Sequence, residues 1–220
     1  MVLAVVLVAT GGFAAQPSDV AARPAAIGKA GTGFFLGGAG RLVTAAHLVA
    51  GCAVVRVVPE GGAGLAAKVE SRDAGLDVAV LRVSGGAPVP AALAPELPAA
   101  GAYLTAVGYP EAAAGGALAR LPLTAIELPI PRPPERMPLH GAVAHPGMSG
   151  APVVDAHGRV VGMLLGRGDP AAPGSADLAG RIGFPVAEVA VALPARWLPQ
   201  PGVAAPTGEV TVARVLCLSG

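Results

Sequence analysis

Charge is scarce in this sequence. Only 13% of its 220 residues are Asp, Glu, Lys or Arg, and the formal net charge is +1. That balance offers no basic field for nucleic acid and no acidic tail, so electrostatics single out no partner of either kind. Aromatic residues make up 3%, which leaves Val, Leu, Ile and Ala to fill a core. The two cysteines, Cys52 and Cys217, are too few for a disulfide-stapled scaffold. A bridge between them would tie the end of the chain to its first lobe. Equally, Cys52 reads as a small buried thiol with no chemistry to do.

The uncharged opening run, Met1-Val-Leu-Ala-Val-Val-Leu-Val-Ala9, is short of the roughly 20 residues of a spanning helix. Its length suits the apolar centre of a secretory signal, and Gly12-Phe13-Ala14 offers small residues for cleavage. No Lys or Arg precedes Arg23, so the usual positive flank is missing. The expectation is a signal or membrane-targeting segment over 1–15, with the protein secreted, periplasmic or otherwise extracytoplasmic, and a membrane tether through that segment as a variant. An apolar first strand is the alternative.

Glycine and proline are abundant, at 32 and 23 residues, too many for a helical bundle because both break helix interiors. Short apolar runs separated by glycine turns fit an all-β chain. They fall into two groups, 30–84 and 102–195, joined by a Pro/Ala/Gly-rich linker over 85–101. A lead-in segment occupies 16–29 and a tail 196–220. Asp155-Ala-His-Gly158 between two such runs marks a hairpin. Arg181 to Val186 reads as the final strand, and Val186 to Leu193 as a short C-terminal helix stopped by Pro194.

Three segments carry chemistry. Leu42-Val-Thr-Ala-Ala-His47 ends a β-branched run in two alanines and an imidazole. Gly75-Leu-Asp77-Val-Ala-Val-Leu81 puts a carboxylate at the head of an apolar strand. His145-Pro-Gly147-Met-Ser149-Gly-Ala-Pro152 flanks a serine with glycines that free its hydroxyl and permit positive φ. A serine hydrolase needs this set: a nucleophilic hydroxyl, an imidazole to take its proton, and a carboxylate to orient the imidazole. The backbone N–H groups of Gly147 and Ser149 are placed to receive an oxyanion. Asp73 competes with Asp77 for the acid role, although its Ala-Gly sequel suits a turn. His140, His145 and His157 invite a metal reading, but no Cys or carboxylate joins them at ligand spacing, so neither metal nor cofactor is expected. The order His, Asp, Ser excludes an α/β-hydrolase.

These motifs, with Gly31-Thr-Gly-Phe34 and Gly183-Phe-Pro-Val186, resemble the trypsin-like serine peptidases, and among them the bacterial HtrA-type and small secreted enzymes. The resemblance implies two six-stranded antiparallel β-barrels packed against each other, with the triad His47, Asp77 and Ser149 in the cleft between them. It implies a serine endopeptidase that hydrolyses polypeptides through an acyl-enzyme, in a form lacking the PDZ domain usual in HtrA-type enzymes. Two residues depart from the family's pattern. Met148 stands where the family has Asp or Asn, and Ala151 replaces a glycine, adding a methyl expected to narrow the cleft. A peptide-binding module without turnover is therefore the alternative reading, and a serine esterase a third. By resemblance, Val143 and Ala144 lie at the base of the substrate pocket and Leu164, Leu165 and Gly166 on its wall. With no carboxylate there, the pocket suits small aliphatic side chains rather than Arg or Lys. His145 at the rim is the one feature that would favour an acidic side chain.

Overall fold

The computed structural model describes residues 26–38, 40–85, 88–111, 116–128, 136–141, 145–168, 171–172, 174–200 and 209–219. Six strands close a first antiparallel barrel: β1 (Ala26–Phe35), β2 (Arg41–Ala45), β3 (Val54–Pro59), β4 (Leu65–Asp73), β5 (Val78–Val83) and β12 (Val212–Ser219), in the order β1-β12-β3-β4-β5-β2. A second barrel, in the order β10-β11-β8-β7-β6-β9, closes over β6 (Tyr103–Gly108), β7 (Ala119–Ala125), β8 (Met137–Gly141), β9 (Pro152–Val154), β10 (Val160–Arg167) and β11 (Val189–Pro194). Helix is confined, among the described residues, to α1 (Ala46–Val49), α2 (Ser175–Ile182) and two single 3₁₀ turns.

Three apolar cores explain why strands such as β5 and β10 are buried along nearly their whole length. Leu42, Val57, Ala79 and Leu81 fill the first barrel, and Leu104, Leu139, Val153 and Leu164 the second. Between them Phe34, Val43 and Val78 pack against Val107, Val160, Met163 and Leu193. A strand between a barrel interior and this interface is apolar on both faces, and Phe34 and Phe35 point into different cores as neighbours along a strand must.

Four sequence expectations need correction. The tail is a strand: β12 pairs with β1 from Ala26↔Ser219 to Phe34↔Val212 and with β3 from Val54↔Leu218 to Pro59↔Ala213, closing the first barrel. Residues 26–29, read as a lead-in, already belong to β1. The span Val186–Leu193 is a single 3₁₀ turn leading into β11, because Val189 to Ala192 pair with β8 on one side and Ala190 to Pro194 with β10 on the other. Arg181 to Val186, read as a strand, finishes α2 and its exit at Gly183 (φ 81°) instead. Midway along the segment expected as a linker, Ala91 N–H donates to the Phe35 carbonyl and Ala94 N–H to that of Val160, each at 2.8 Å. Cys52 and Cys217 form a disulfide, with Cα atoms 5.3 Å apart, tying β12 to the exit of α1. Residues 1–25, where a signal or membrane-targeting segment is expected, lie outside the described residues.

Candidate active site

β2 runs into α1, a single turn whose N-cap position is Ala45 and which has no side-chain cap of its own. Orphan N–H groups at a helix start need acceptors, and Asp77 supplies them from the turn before β5. Its carbonyl accepts Ala46 N–H at 3.2 Å, and its Oδ1 accepts His47 N–H at 2.9 Å. The second carboxylate oxygen lies 2.8 Å from His47 Nδ1. To aim carbonyl and carboxylate at the same helix, Asp77 adopts φ 61°, the only non-glycine residue with positive φ among the described residues. Asp is among the few side chains that tolerate that region. Burial opposes charge on Asp77. The hydrogen bonds from the His47 ring and backbone, with help from the Arg136 guanidinium, outweigh it and hold the carboxyl below the usual range. At the far end of α1, the Lys29 ammonium donates to the carbonyls of His47 and Ala50, both at 2.9 Å. Asp73 is occupied elsewhere: its Oδ1 accepts Gly75 and Leu76 N–H at 2.8 and 2.9 Å, an Asx turn.

The serine loop packs against this corner. A side chain at Gly150 (φ 84°) would meet the Thr32 carbonyl at 2.1 Å and the Thr44 hydroxyl at 2.6 Å, so only glycine lets the loop approach β1 and β2. Three consecutive peptides are pinned through their carbonyls: Pro146 O by Glu111 N–H (2.8 Å), Gly147 O by the Thr32 hydroxyl (2.8 Å) and Met148 O by Ala151 N–H (3.0 Å). The N–H groups of Gly147 and Ser149 have no acceptor among the described residues. A trans peptide points its N–H opposite its carbonyl, so the Pro146 and Met148 carbonyls orient the peptides that carry these two donors, and the Gly147 carbonyl fixes the peptide that joins them. The Ser149 hydroxyl donates to the Leu165 carbonyl at 3.0 Å, and among the described residues no hydrogen bond joins it to His47.

The remaining predicted site residues take varied places. Leu165 and Gly166 are half-buried beside Ser149, whereas Leu164 is 1% exposed inside the second barrel. Alternation along β10 turns Leu164 inward, so it does not form the pocket wall expected of it; it contributes its carbonyl, which takes Gly150 N–H at 2.7 Å. Val143 and Ala144 lie outside the described residues. His145 is exposed, and its carbonyl accepts Met148 N–H at 3.0 Å. Met148 and Ala151 are both fully buried in the second barrel's core. The Ala151 methyl therefore points away from the cleft it was expected to narrow. Sequence reasoning passed over Thr32 and Thr44, both 0% exposed; a polar residue inside an apolar strand run was the available signal. No group of His, Cys, Asp or Glu among the described residues is arranged to hold a metal ion.

Two closed six-stranded barrels with this corner between them define the chymotrypsin-like double-barrel class. The trypsin-like peptidase domain family matches residues 31–163, and the chain belongs to that family. It is similar to the "Uncharacterized protein y4bJ" of Sinorhizobium fredii, 33% identical over 162 residues, covering 70% of this chain and 25% of that one. It is also similar to the "Putative serine protease HhoB" of Synechocystis, 31% identical over 138 residues, covering 60% of this chain and 33% of that one. The chain thus spans a quarter to a third of these curated relatives. Among solved structures it resembles the Rv3671c protease of M. tuberculosis. The active form has a TM-score of 0.62 and 29% identity, covering 81% of this chain and 76% of that one. The inactive form has a TM-score of 0.59 and 29% identity, covering 76% and 78%.

Proposed function

We propose that the chain is a serine endopeptidase in which Ser149 attacks the scissile carbonyl of a polypeptide. His47 takes the Ser149 proton and returns it to the leaving amine, Asp77 holds the His47 tautomer, and the Gly147 and Ser149 N–H groups receive the oxyanion. The observation that carries this reading is the 2.8 Å contact of Asp77 Oδ2 with His47 Nδ1, which leaves Nε2 as the proton acceptor. The Ser149 hydroxyl engages Leu165 in the resting structure, so attack requires it to leave that carbonyl and turn toward His47; side-chain rotamer changes take ps–ns at exposed positions. That same hydrogen bond is what favours the second reading, a peptide-binding cleft without turnover.

Substrates with small aliphatic residues before the cleaved bond are proposed, because the family resemblance puts the pocket base in the sequence Gly141-Ala-Val-Ala144, which holds no carboxylate to meet a cation, and because Leu165 beside Ser149 is apolar. Export is proposed on two grounds: the apolar opening run and the Cys52–Cys217 bridge, a bond that persists in oxidising compartments. No helix among the described residues is long and apolar enough to cross a membrane. Digestion of a peptide library tests the assignment. Cleavage after Ala, Val or Leu, unaffected by EDTA, is expected. Cleavage mainly after Arg or Lys contradicts the apolar pocket, cleavage after Glu promotes His145 to a specificity residue, and no cleavage at all favours the binding module.

A further inference from the structure

Thr32 stands on β1 of the first barrel, fully buried, and reaches the serine loop of the second at two points. Its N–H donates to the Ser149 carbonyl at 2.9 Å, and its hydroxyl donates to the Gly147 carbonyl at 2.8 Å. The hydroxyl accepts Tyr109 N–H at 3.0 Å, which leaves its proton directed at Gly147. The Thr32 carbonyl in turn accepts the hydroxyl of Thr44, also fully buried, at 2.6 Å, and Thr44 lies three residues before His47 on the strand that leads into α1. A chain of hydrogen bonds therefore runs from the base strand, through Thr32, to the nucleophile loop.

The bond to Gly147 matters for the chemistry because of which peptide it holds. Gly147 O and Met148 N belong to the peptide between the two oxyanion donors, and Met148 N–H is held by the His145 carbonyl at 3.0 Å. The direction of Gly147 N–H depends on the torsions that enter this peptide, and that of Ser149 N–H on those that leave it. The flanking carbonyls, Pro146 and Met148, are held by backbone donors that any sequence would supply. Among the pinned carbonyls of the loop, only that of Gly147 takes a side-chain donor.

We propose that Thr32 is a positioning residue for catalysis, its hydroxyl fixing the central peptide of the loop so that the Gly147 and Ser149 N–H groups converge on one oxyanion. The inference rests on the reading of Ser149 as nucleophile. Valine at this position keeps the shape and removes the donor, leaving the Gly147 carbonyl and Tyr109 N–H without partners in a dry interface. The carbonyl then turns to find another donor, and the two N–H groups diverge. Losing one oxyanion donor outright lowers turnover about 10²–10³-fold, so misaiming both without deleting either lowers it about 10–100-fold.

The test is the second-order rate of phosphonylation by an alkyl fluorophosphonate, whose phosphoryl oxygen occupies the oxyanion position and which needs no known substrate. Rates for wild type, Thr32→Val, Thr32→Ser and Ser149→Ala are compared at a temperature where melting curves show each variant folded. Thr32→Val is expected to react about 10–100-fold more slowly and Thr32→Ser within about threefold of wild type. A rate for Thr32→Val within about threefold of wild type overturns the proposal. Equal loss in Thr32→Val and Thr32→Ser also overturns it, because packing and not the hydroxyl would then be at stake. If Thr32→Val does not fold, Thr32→Ala carries the same comparison with the same outcomes. Labelling of Ser149→Ala at the wild-type rate would instead refute the nucleophile assignment, independently of Thr32.

Discussion

A single carboxylate at Asp77 caps α1 and holds the imidazole on that helix, so one side chain serves the fold and, in the proposed mechanism, the chemistry. Asn at this position keeps the cap but offers its amide to Nδ1 and stabilises the wrong tautomer. Asp77→Asn is therefore expected to lower kcat about 10⁴-fold while the protein stays folded. Asp73→Asn touches only an Asx turn, whose acceptor oxygen Asn retains; it is expected to change stability by less than about 0.5 kcal/mol and leave kcat within about twofold. Steady-state kinetics of the two variants checks the assignment, and the reverse ranking would transfer the acid role to Asp73. The acid range gives a second check. A carboxyl held below its ordinary value of 3.8 stabilises the fold fully above that value. That contribution is lost as pH falls through the lower folded value. The gap in melting temperature between wild type and Asp77→Asn is thus widest above the ordinary carboxyl value of 3.8 and narrows as pH falls below it. A gap independent of pH would show that Asp77 carries no charge linked to folding.

At the scale of elements, what the sequence made legible depended on how local its cause was. The hairpin at Asp155–Gly158 is dictated by its own residues: the Asp155 carboxylate accepts His157 and Arg159 N–H at 2.8 and 2.9 Å. β11 was read as helix because Val-Ala-Val-Ala-Leu is short and apolar on both faces, and only its neighbours β8 and β10 decide its conformation. β12 was missed because the partners that make it a strand, β1 and β3, lie more than 150 residues earlier in the chain. The Cys52–Cys217 bridge fastens this distant strand across a separation of 165 residues. Replacing both cysteines by serine is expected to remove about 2–4 kcal/mol. For a domain of this size that lowers the melting temperature by about 5–15 °C. Calorimetry of the double variant measures the shift, and an unchanged midpoint would show that β12 needs no fastening.

Across the whole molecule, the two strand groups and the linker stood out in the sequence as turn-punctuated apolar runs, but barrel closure and the interface between barrels did not. Each depends on pairings between distant strands that no local pattern encodes. The candidate site divides in the same way. His47, Asp77 and Ser149 stand out as the side chains that a serine hydrolase requires, while Thr32 and Thr44, inside the same motifs, carry no chemistry that the sequence alone would assign them. Their role appears only when β1 meets the serine loop. The central claim, that the joined barrels activate one serine, is tested most directly by fluorophosphonate labelling followed by mass spectrometry of the adduct. The account predicts one adduct, on Ser149, formed much more slowly in His47→Ala and absent in Ser149→Ala. An adduct on another residue, or labelling of wild type no faster than of His47→Ala, would contradict it.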